Sequence, residues 1–239
     1  MGPIFADENR IRQMIEQILE QLNNVDKTLL LWLNFDGGRW MDTFWYTVSN
    51  SHIWIPVLVA GGIDLWRTSG GSWKRRCCFL LILVAIMVLS DQLSSGVIKP
   101  LVGRIRPSHE PSLLPYLHFV NDYHGGRLGF VSGHATNITA AATWFWLVYR
   151  DRFTHACLLF LAVAVSYSRL YLGVHYPGDI VCGALLGFLI SYSAYVLCRR
   201  SSSFHRSERP KFLLGAFALT LAGIIVYTLA SMIVYEVVA

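Results

Sequence analysis

Charge is what this sequence has least of. Lys, Arg, Asp and Glu supply 15% of its 239 residues, against 54% apolar residues and a mean hydropathy of +0.45. That balance excludes an ordinary soluble domain and suits a polytopic helical membrane protein. Metal-ligand spacing is missing among the cysteines too. Cys77, Cys78, Cys157, Cys182 and Cys198 lie inside or at the ends of apolar runs, as small core residues do, and no disulfide framework is expected. The N-terminus is polar and amphipathic and lacks an apolar h-region, so no cleavable signal peptide is expected. The net charge of +5 says less than the places where basic residues gather, and no nucleic-acid partner is expected.

What is present reads as an all-α membrane bundle of about six transmembrane helices with an amphipathic interfacial helix in front. Ile11, Met14, Ile15, Ile18, Leu19 and Leu22 recur at three- and four-residue steps among Glu, Gln and Arg. This helix lacks the apolar length to cross a bilayer and should lie in the interface or pack on the bundle. Asp26 to Trp45, with its turn signal Asp36-Gly37-Gly38, reads as a surface segment or partial re-entry. Spans are expected over about Phe44–Trp66, Cys77–Val97, Ala135–Tyr149, His155–Tyr167, Ile180–Leu197 and Phe212–Val238. The second is the clearest, since about 21 residues at 1.5 Å each cover roughly 30 Å of hydrocarbon. Pro100 and Pro107 mark its exit into a polar, turn-rich loop that runs to about Val131. The expected organisation is one membrane-embedded domain over 1–239, with 1–43 interfacial and 44–239 forming the bundle.

Charge distribution then orients the chain. Arg67 and Lys74-Arg75-Arg76, Arg150 and Arg152, and Arg199, Arg200, Arg206, Arg209 and Lys211 all fall in loops after odd-numbered spans, which the positive-inside rule makes cytoplasmic. The loops after the second and fourth spans, on the outer side, hold the charges that need a chemical reason.

Ser132-Gly133-His134 stands where a loop enters a helix, so unpaired backbone N–H groups and the positive end of the helix dipole face outward, a ready anion site. In His175-Tyr176-Pro177-Gly178-Asp179, Pro177 suits the first helical position. Asp179 can then reach back to His175 and fix one imidazole nitrogen as a donor, leaving the other free to attack. Arg106 and Arg169 can grip phosphate oxygens bidentately, and Lys99 adds a point charge. Each piece has an ordinary alternative: Ser132 as a plain helix cap, Asp179 likewise, the cations as snorkelling side chains. His109, His118, His124 and Arg127 read as a solvated part of the outer loop.

Taken jointly the pieces resemble a known signature. Lys99, six residues and Arg106-Pro107 come first, then Ser132-Gly133-His134, then Ser168-Arg169, five residues, His175, three residues and Asp179. This is similar to the three-part motif of the type 2 phosphatidic acid phosphatase superfamily, the integral-membrane lipid phosphate phosphatases. One departure is that Val131 stands where the family commonly has proline. The resemblance implies that His175 is a nucleophile forming a phosphohistidine, that Asp179 orients it, and that His134 protonates the leaving lipid oxygen and then activates water. Lys99, Arg106, Ser132, Gly133 and Arg169 would hold the phosphate. It implies no metal or cofactor, in keeping with the scattered acids Glu110, Asp122 and Asp179 of the outer loops. The implied partners are the bilayer and a lipid with a phosphate headgroup: undecaprenyl diphosphate or lipid A phosphate first, then phosphatidylglycerophosphate or phosphatidic acid. The implied place is a bacterial inner membrane, with the site on the periplasmic face. A vanadate-dependent haloperoxidase shares the motifs but is soluble. A non-catalytic lipid-phosphate binding or transport protein is the alternative of a different class.

Overall fold

A computed structural model describes the chain over residues 3–68, 73–199 and 209–238. Gly70, Gly71, Arg200 and Arg206 of the basic loops lie outside the described residues, as does the side chain of Arg75. The regular structure among the described residues is helical, with no sheet, and an antiparallel bridge joins Ile105 to Leu128. The helices are α1 (Pro3–Leu33), α2 (Gly38–Ser49), α3 (Ile55–Thr68), α4 (Trp73–Asp91), α5 (Lys99–Val102), α6 (Gly133–Val148), α7 (Arg152–Tyr171), α8 (Pro177–Arg199) and α9 (Lys211–Val238).

Among the described residues, four stretches are long and apolar enough to cross a membrane: Arg76–Val102, Arg152–Tyr171, Pro177–Arg199 and Lys211–Tyr235. Helix α6 has 16 residues and lies in the middle of the bundle, packed on α7 and α8. Small residues let it approach α8 closely. A Cβ on Gly183 would stand 2.7 Å from the Ser132 carbonyl oxygen, and one on Gly187 would stand 2.9 Å from the Ala140 amide nitrogen. Ser191 Oγ then donates to the Ala140 carbonyl at 2.6 Å. Trp144, Tyr149, Leu158 and Leu161 fill the adjoining core with Val48, Leu65 and Ile86.

Two expectations about the first third of the chain need correction. Helix α1 does not stop near Leu22 but continues to Leu33, where Leu30 is fully buried against Leu113, Leu117, Leu170 and Tyr176. The Asp26–Trp45 stretch is therefore the end of one helix, a short turn and the start of another. The turn itself falls where Asp36-Gly37-Gly38 predicts, with Gly38 at φ +75 and its N–H donating to Asp36 Oδ1. The first span, expected over Phe44–Trp66, begins earlier and is broken. Asn50 leaves helical geometry, its side chain accepts from the His52 N–H, and a 3₁₀ turn (Ser51–Trp54) leads into α3. Non-helical backbone at this depth survives where it lines a polar cavity.

Chain direction agrees at both ends of the bundle. The Asp64 carboxylate on α3 accepts from the Leu213 N–H at the start of α9, 2.8 Å away, while the Arg39 guanidinium lies over the Tyr235 ring near the end of α9. The broken α2–α3 path thus runs alongside α9. The end holding Arg67, Arg150, Arg152, Arg199, Arg209 and Lys211 is opposite the end holding Arg106, Ser132 and His175.

The outer loop also departs from expectation, because it is packed and not simply solvated. Gly103, in the left-handed conformation, ends the helix that carries Lys99, so the exit lies just beyond Pro100. Leu113, Leu117 and Val120 are buried, and Asn34 donates to the His118 and Tyr171 carbonyls at 3.0 and 2.6 Å. His118 Nε2 pairs with Asp42 at 2.8 Å. Of the four basic loop residues singled out, His109 and Arg127 fit the solvated description, and both are exposed.

Candidate functional site

Each element delivers one part of a single pocket. Before α5, the helix widens into a π-helical stretch, Gln92–Ile98, a distortion common at functional positions. It brings Ser94, Ser95 and Lys99 to the start of α6. A Cβ on Gly133 would meet Ser95 Oγ at 3.0 Å and Lys99 Nζ at 3.8 Å, so the missing side chain is what lets them approach. Ser132 is fully buried and caps α6, its Oγ accepting from the Ala135 N–H at 3.4 Å. Its own N–H donates to the Asp179 carbonyl at 3.0 Å, which ties the starts of α6 and α8 together.

Arg106 is buried where the loop folds back: its N–H donates to the Arg127 carbonyl, its Nε donates to the Leu128 carbonyl at 2.9 Å, and Nη1 has no partner. Arg169, 2% exposed, comes from the last turn of α7. It donates to Ser49 Oγ at the break after α2 and to the Tyr123 hydroxyl at 3.2 Å, while its Nε has no partner.

His175 and Asp179 are both fully buried, on the tight turn into α8. The carboxylate accepts at Oδ2 from the Tyr176 N–H at 3.1 Å and faces His175 Nδ1 at 3.2 Å. A carboxylate can only accept, so Nδ1 carries the proton and Nε2 carries a lone pair. That Nε2 is buried without a partner. Burial first, then Arg106, Arg169, Lys99 and Arg104, hold the imidazole well below its ordinary range, so it stays neutral. Arg106 is itself pushed down to about 10 by burial and then by Arg169. Burial alone would raise the Tyr123 phenol, but Arg169 and then Arg106 hold it below its usual value. Two donors and a lone pair without partners, among cations that repel one another, make a site suited to binding an anion.

All eight residues singled out from the sequence are gathered at this one end of the bundle: Lys99, Arg106, Ser132, Gly133, His134, Arg169, His175 and Asp179. Others were missed. Arg104 Nη1 donates to Asp179 Oδ1 at 2.8 Å and Nη2 to Asp26 Oδ2 at 2.7 Å. Burial would lower its affinity for the proton, but Asp179 and Asp26 raise it above the ordinary value. Its signal was the alternation Gly-Arg-Ile-Arg-Pro, in which only the second arginine was taken up. Tyr46, Asn50, Ser51 and His52 line, with Tyr123, His134 and Arg169, a polar cavity of about 380 Å³. In the sequence Ser49, Asn50 and Ser51 are three consecutive polar residues within the expected span Phe44–Trp66.

His134 and Ser51 also line a smaller, apolar cavity with Trp54, Leu58, Met87 and Ile138. Leu58 and Met87 in turn line a groove of about 540 Å³ between α3 and α4, walled by Ile63, Leu80 and Val84. Polar chamber and apolar lane meet at His134. Apart from this pocket, Asp36, Asp42 and His118 bring ligand atoms within 4.8 Å of one another. Asp42 already accepts from the Tyr171 hydroxyl at 2.6 Å and pairs with His118, so this cluster anchors the outer loop.

A helical bundle whose cations cluster around a buried imidazole, beside an apolar lane that His134 borders, defines a membrane protein that handles a phosphorylated lipid. Residues 79–203 match the model of the PAP2 superfamily, and the chain belongs to that superfamily. It is 31% identical over 222 residues to a lipid A 4'-phosphatase of Bacteroides thetaiotaomicron, covering 88% of this chain and 98% of that one. It is 33% identical over 181 residues to a lipid A 4'-phosphatase of Porphyromonas gingivalis, covering 74% of each. A putative undecaprenyl-diphosphatase of Escherichia coli is 29% identical over 178 residues, 74% of this chain and 84% of that one. The fold is also that of a crystal structure of a transmembrane PAP2 type phosphatidylglycerolphosphate phosphatase from Bacillus subtilis. The TM-score is 0.60 at 20% identity, covering 77% of this chain and 90% of that one. The protein is thus a multi-pass membrane hydrolase of the PAP2 superfamily that acts on phosphate-bearing lipids.

Proposed function

We propose that this hydrolase removes the terminal phosphate of a lipid A-type phosphoglycolipid through a phosphohistidine at His175, on the periplasmic face of a bacterial inner membrane. The observation that carries the reading is His175 itself: a buried neutral imidazole, its Nδ1 on Asp179 and its Nε2 without a partner, ringed by cations. Nε2 attacks phosphorus, and the bond to the lipid oxygen breaks with its electrons staying on that oxygen, which takes a proton from His134. Burial and then Arg169 hold that imidazole far below its ordinary range, so its proton arrives with the bound phosphate monoanion. Water then attacks phosphorus, giving a proton to His134. The N–P bond breaks, its electrons return to Nε2, and inorganic phosphate leaves. Lys99, Arg106, Arg169 and the α6 start at Ser132-Gly133 stabilise the charge spread over the equatorial oxygens.

The substrate choice rests on two supports. Tyr46, Asn50, Ser51, His52 and Tyr123 offer aromatic faces and hydrogen-bonding groups beside the phosphate position, chemistry that suits a sugar ring. Two of the relatives named above, at 31% and 33% identity, are lipid A 4'-phosphatases. The basic ends of the helices lie opposite the pocket, which supports the outward orientation under the positive-inside rule. Residues 1–239 act in this reading as one membrane-embedded domain.

The test is inorganic phosphate release by purified protein from lipid A and from undecaprenyl diphosphate, beside His175→Ala. Release from lipid A that vanishes in His175→Ala supports the reading. Equal release by both proteins sinks the mechanism, and release from undecaprenyl diphosphate alone sinks the substrate.

A further inference from the structure

Asp26 lies on α1, more than fifty residues before the stretch that matches the family model. The same helix carries exposed Ile15, Ile18, Leu19 and Leu22. Its carboxylate is nevertheless engaged at the heart of the pocket's support. Oδ1 accepts from the Gly178 N–H at 2.7 Å, in the first turn of α8, and Oδ2 accepts from Arg104 Nη2 at 2.7 Å. Arg104 Nη1 passes to Asp179, Asn23 on α1 adds a further acceptor for Nη2 at 3.1 Å, and the guanidinium lies over the Tyr176 ring, 4.1 Å from its centroid.

We infer that Asp26 is a positioning residue for the phosphatase reaction, fixing Arg104 and the start of α8 so that Asp179 keeps His175 aimed at phosphorus. The inference rests on the reading of His175 as nucleophile. Three donors compete for the Asp179 carboxylate: Arg104, the Tyr176 N–H and His175 Nδ1. Asp26 takes one arm of the Arg104 fork, leaving a single N–H for Asp179. Without Asp26 the guanidinium is free to close on Asp179 with both arms, the preferred fork geometry, and to draw the carboxylate away from the imidazole. Losing the Gly178 acceptor also loosens the turn on which His175 and Asp179 sit. Helix α1 is then part of the catalytic support as well as a surface element. Such outer partners typically cost 10–100-fold when removed from metal-held imidazoles, and a similar loss of roughly that size is expected here.

The experiment uses full-length protein in mixed micelles of detergent and lipid substrate, comparing wild type with Asp26→Asn, Asp26→Glu, Gly178→Ala and His175→Ala. Glu20→Gln, an exposed change on the same helix, serves as control. The expected result is a kcat lowered roughly 10–100-fold in Asp26→Asn with KM within about twofold, and partial recovery in Asp26→Glu. A double variant Asp26→Asn/Asp179→Asn should be no slower than Asp179→Asn alone, because both act through one imidazole. Gly178→Ala approaches the same point independently, since its Cβ would stand 2.7 Å from Asp26 Oδ2, and it should lower kcat likewise. That variant carries the test if Asp26→Asn does not fold. Wild-type kcat in Asp26→Asn or in Gly178→Ala, with His175→Ala inactive, overturns the inference and leaves the phosphatase reading intact. Fully additive losses in the double variant overturn it too. An active His175→Ala removes the reading on which it rests.

Discussion

Replacing Asp179 by asparagine changes one oxygen for one NH2 group, and the pocket has no good place for it. Oδ2 accepts from the Tyr176 N–H and His175 Nδ1, and Oδ1 accepts from Arg104 at 2.8 Å. If the amide oxygen takes the Oδ2 place, its NH2 confronts the Arg104 guanidinium, donor against donor. If it turns over, its NH2 confronts the Tyr176 N–H and forces His175 to accept at Nδ1, which moves the proton to Nε2 and removes the attacking lone pair. Either way the imidazole loses its charge partner, and the amide NH2 is left facing another donor. In a serine-protease triad the equivalent change costs about 10⁴-fold in kcat, which brackets the loss here at about 10²–10⁴-fold, or about 3–5 kcal/mol. Arg104 keeps Asp26 as an anionic partner, so the fold should lose only about 1–3 kcal/mol and survive. The assay is single-turnover release of inorganic phosphate from a lipid substrate, with thermal unfolding in detergent as the check on folding. A folded Asp179→Asn turning over within about threefold of wild type would refute the argument, and would leave Asp179 as a cap on α8.

Two more outcomes follow from packing and from ionisation. Gly187→Ala places a methyl group against the Thr136 carbonyl and the Ala140 amide, so α6 and α8 must part; a destabilisation of about 1–3 kcal/mol is expected. An unchanged unfolding temperature in detergent would contradict that packing. His175 is held neutral in the folded protein by burial first and then by Arg106 and Arg169, whereas the unfolded chain binds a proton there below about pH 6.5. Its contribution to stability is therefore complete above that pH and is lost as pH falls, by at most about 1.4 kcal/mol per pH unit. Wild type should lose unfolding temperature faster than His175→Asn between pH 7 and pH 5; parallel curves would rule this out.

How much was readable before the structure differs from one part of the chain to another. Lys99, Arg106, Ser132, His134, Arg169, His175 and Asp179 were legible through the resemblance of their joint spacing to a family signature, since a helix start, a proline or a glycine taken alone fixes only local geometry over a few residues. The contribution of α1 was not readable: Asp26 meets Arg104 across 78 positions of sequence, and no local pattern encodes such a pairing. The break at Asn50 was visible as three polar residues, yet polarity alone does not tell a late helix start from a bend at a cavity. Hydrophobic periodicity read the long spans well, since lipid imposes one requirement along their whole length. It misjudged the Asp26–Trp45 stretch and the outer loop, where Leu30, Leu113 and Leu117 supply burial in single residues and not in runs.

His134 borders two chambers of opposite character, a wet one shared with Arg169 and Tyr123 and a greasy one that continues between α3 and α4. In the proposed reaction the scissile bond would straddle that boundary, so that cleavage separates two products already standing on different sides of it. Phosphate would then depart through the polar chamber, and the shortened lipid would slide back along the apolar one. Neither has to pass the other, and a fresh lipid can begin to enter while the anion is still bound.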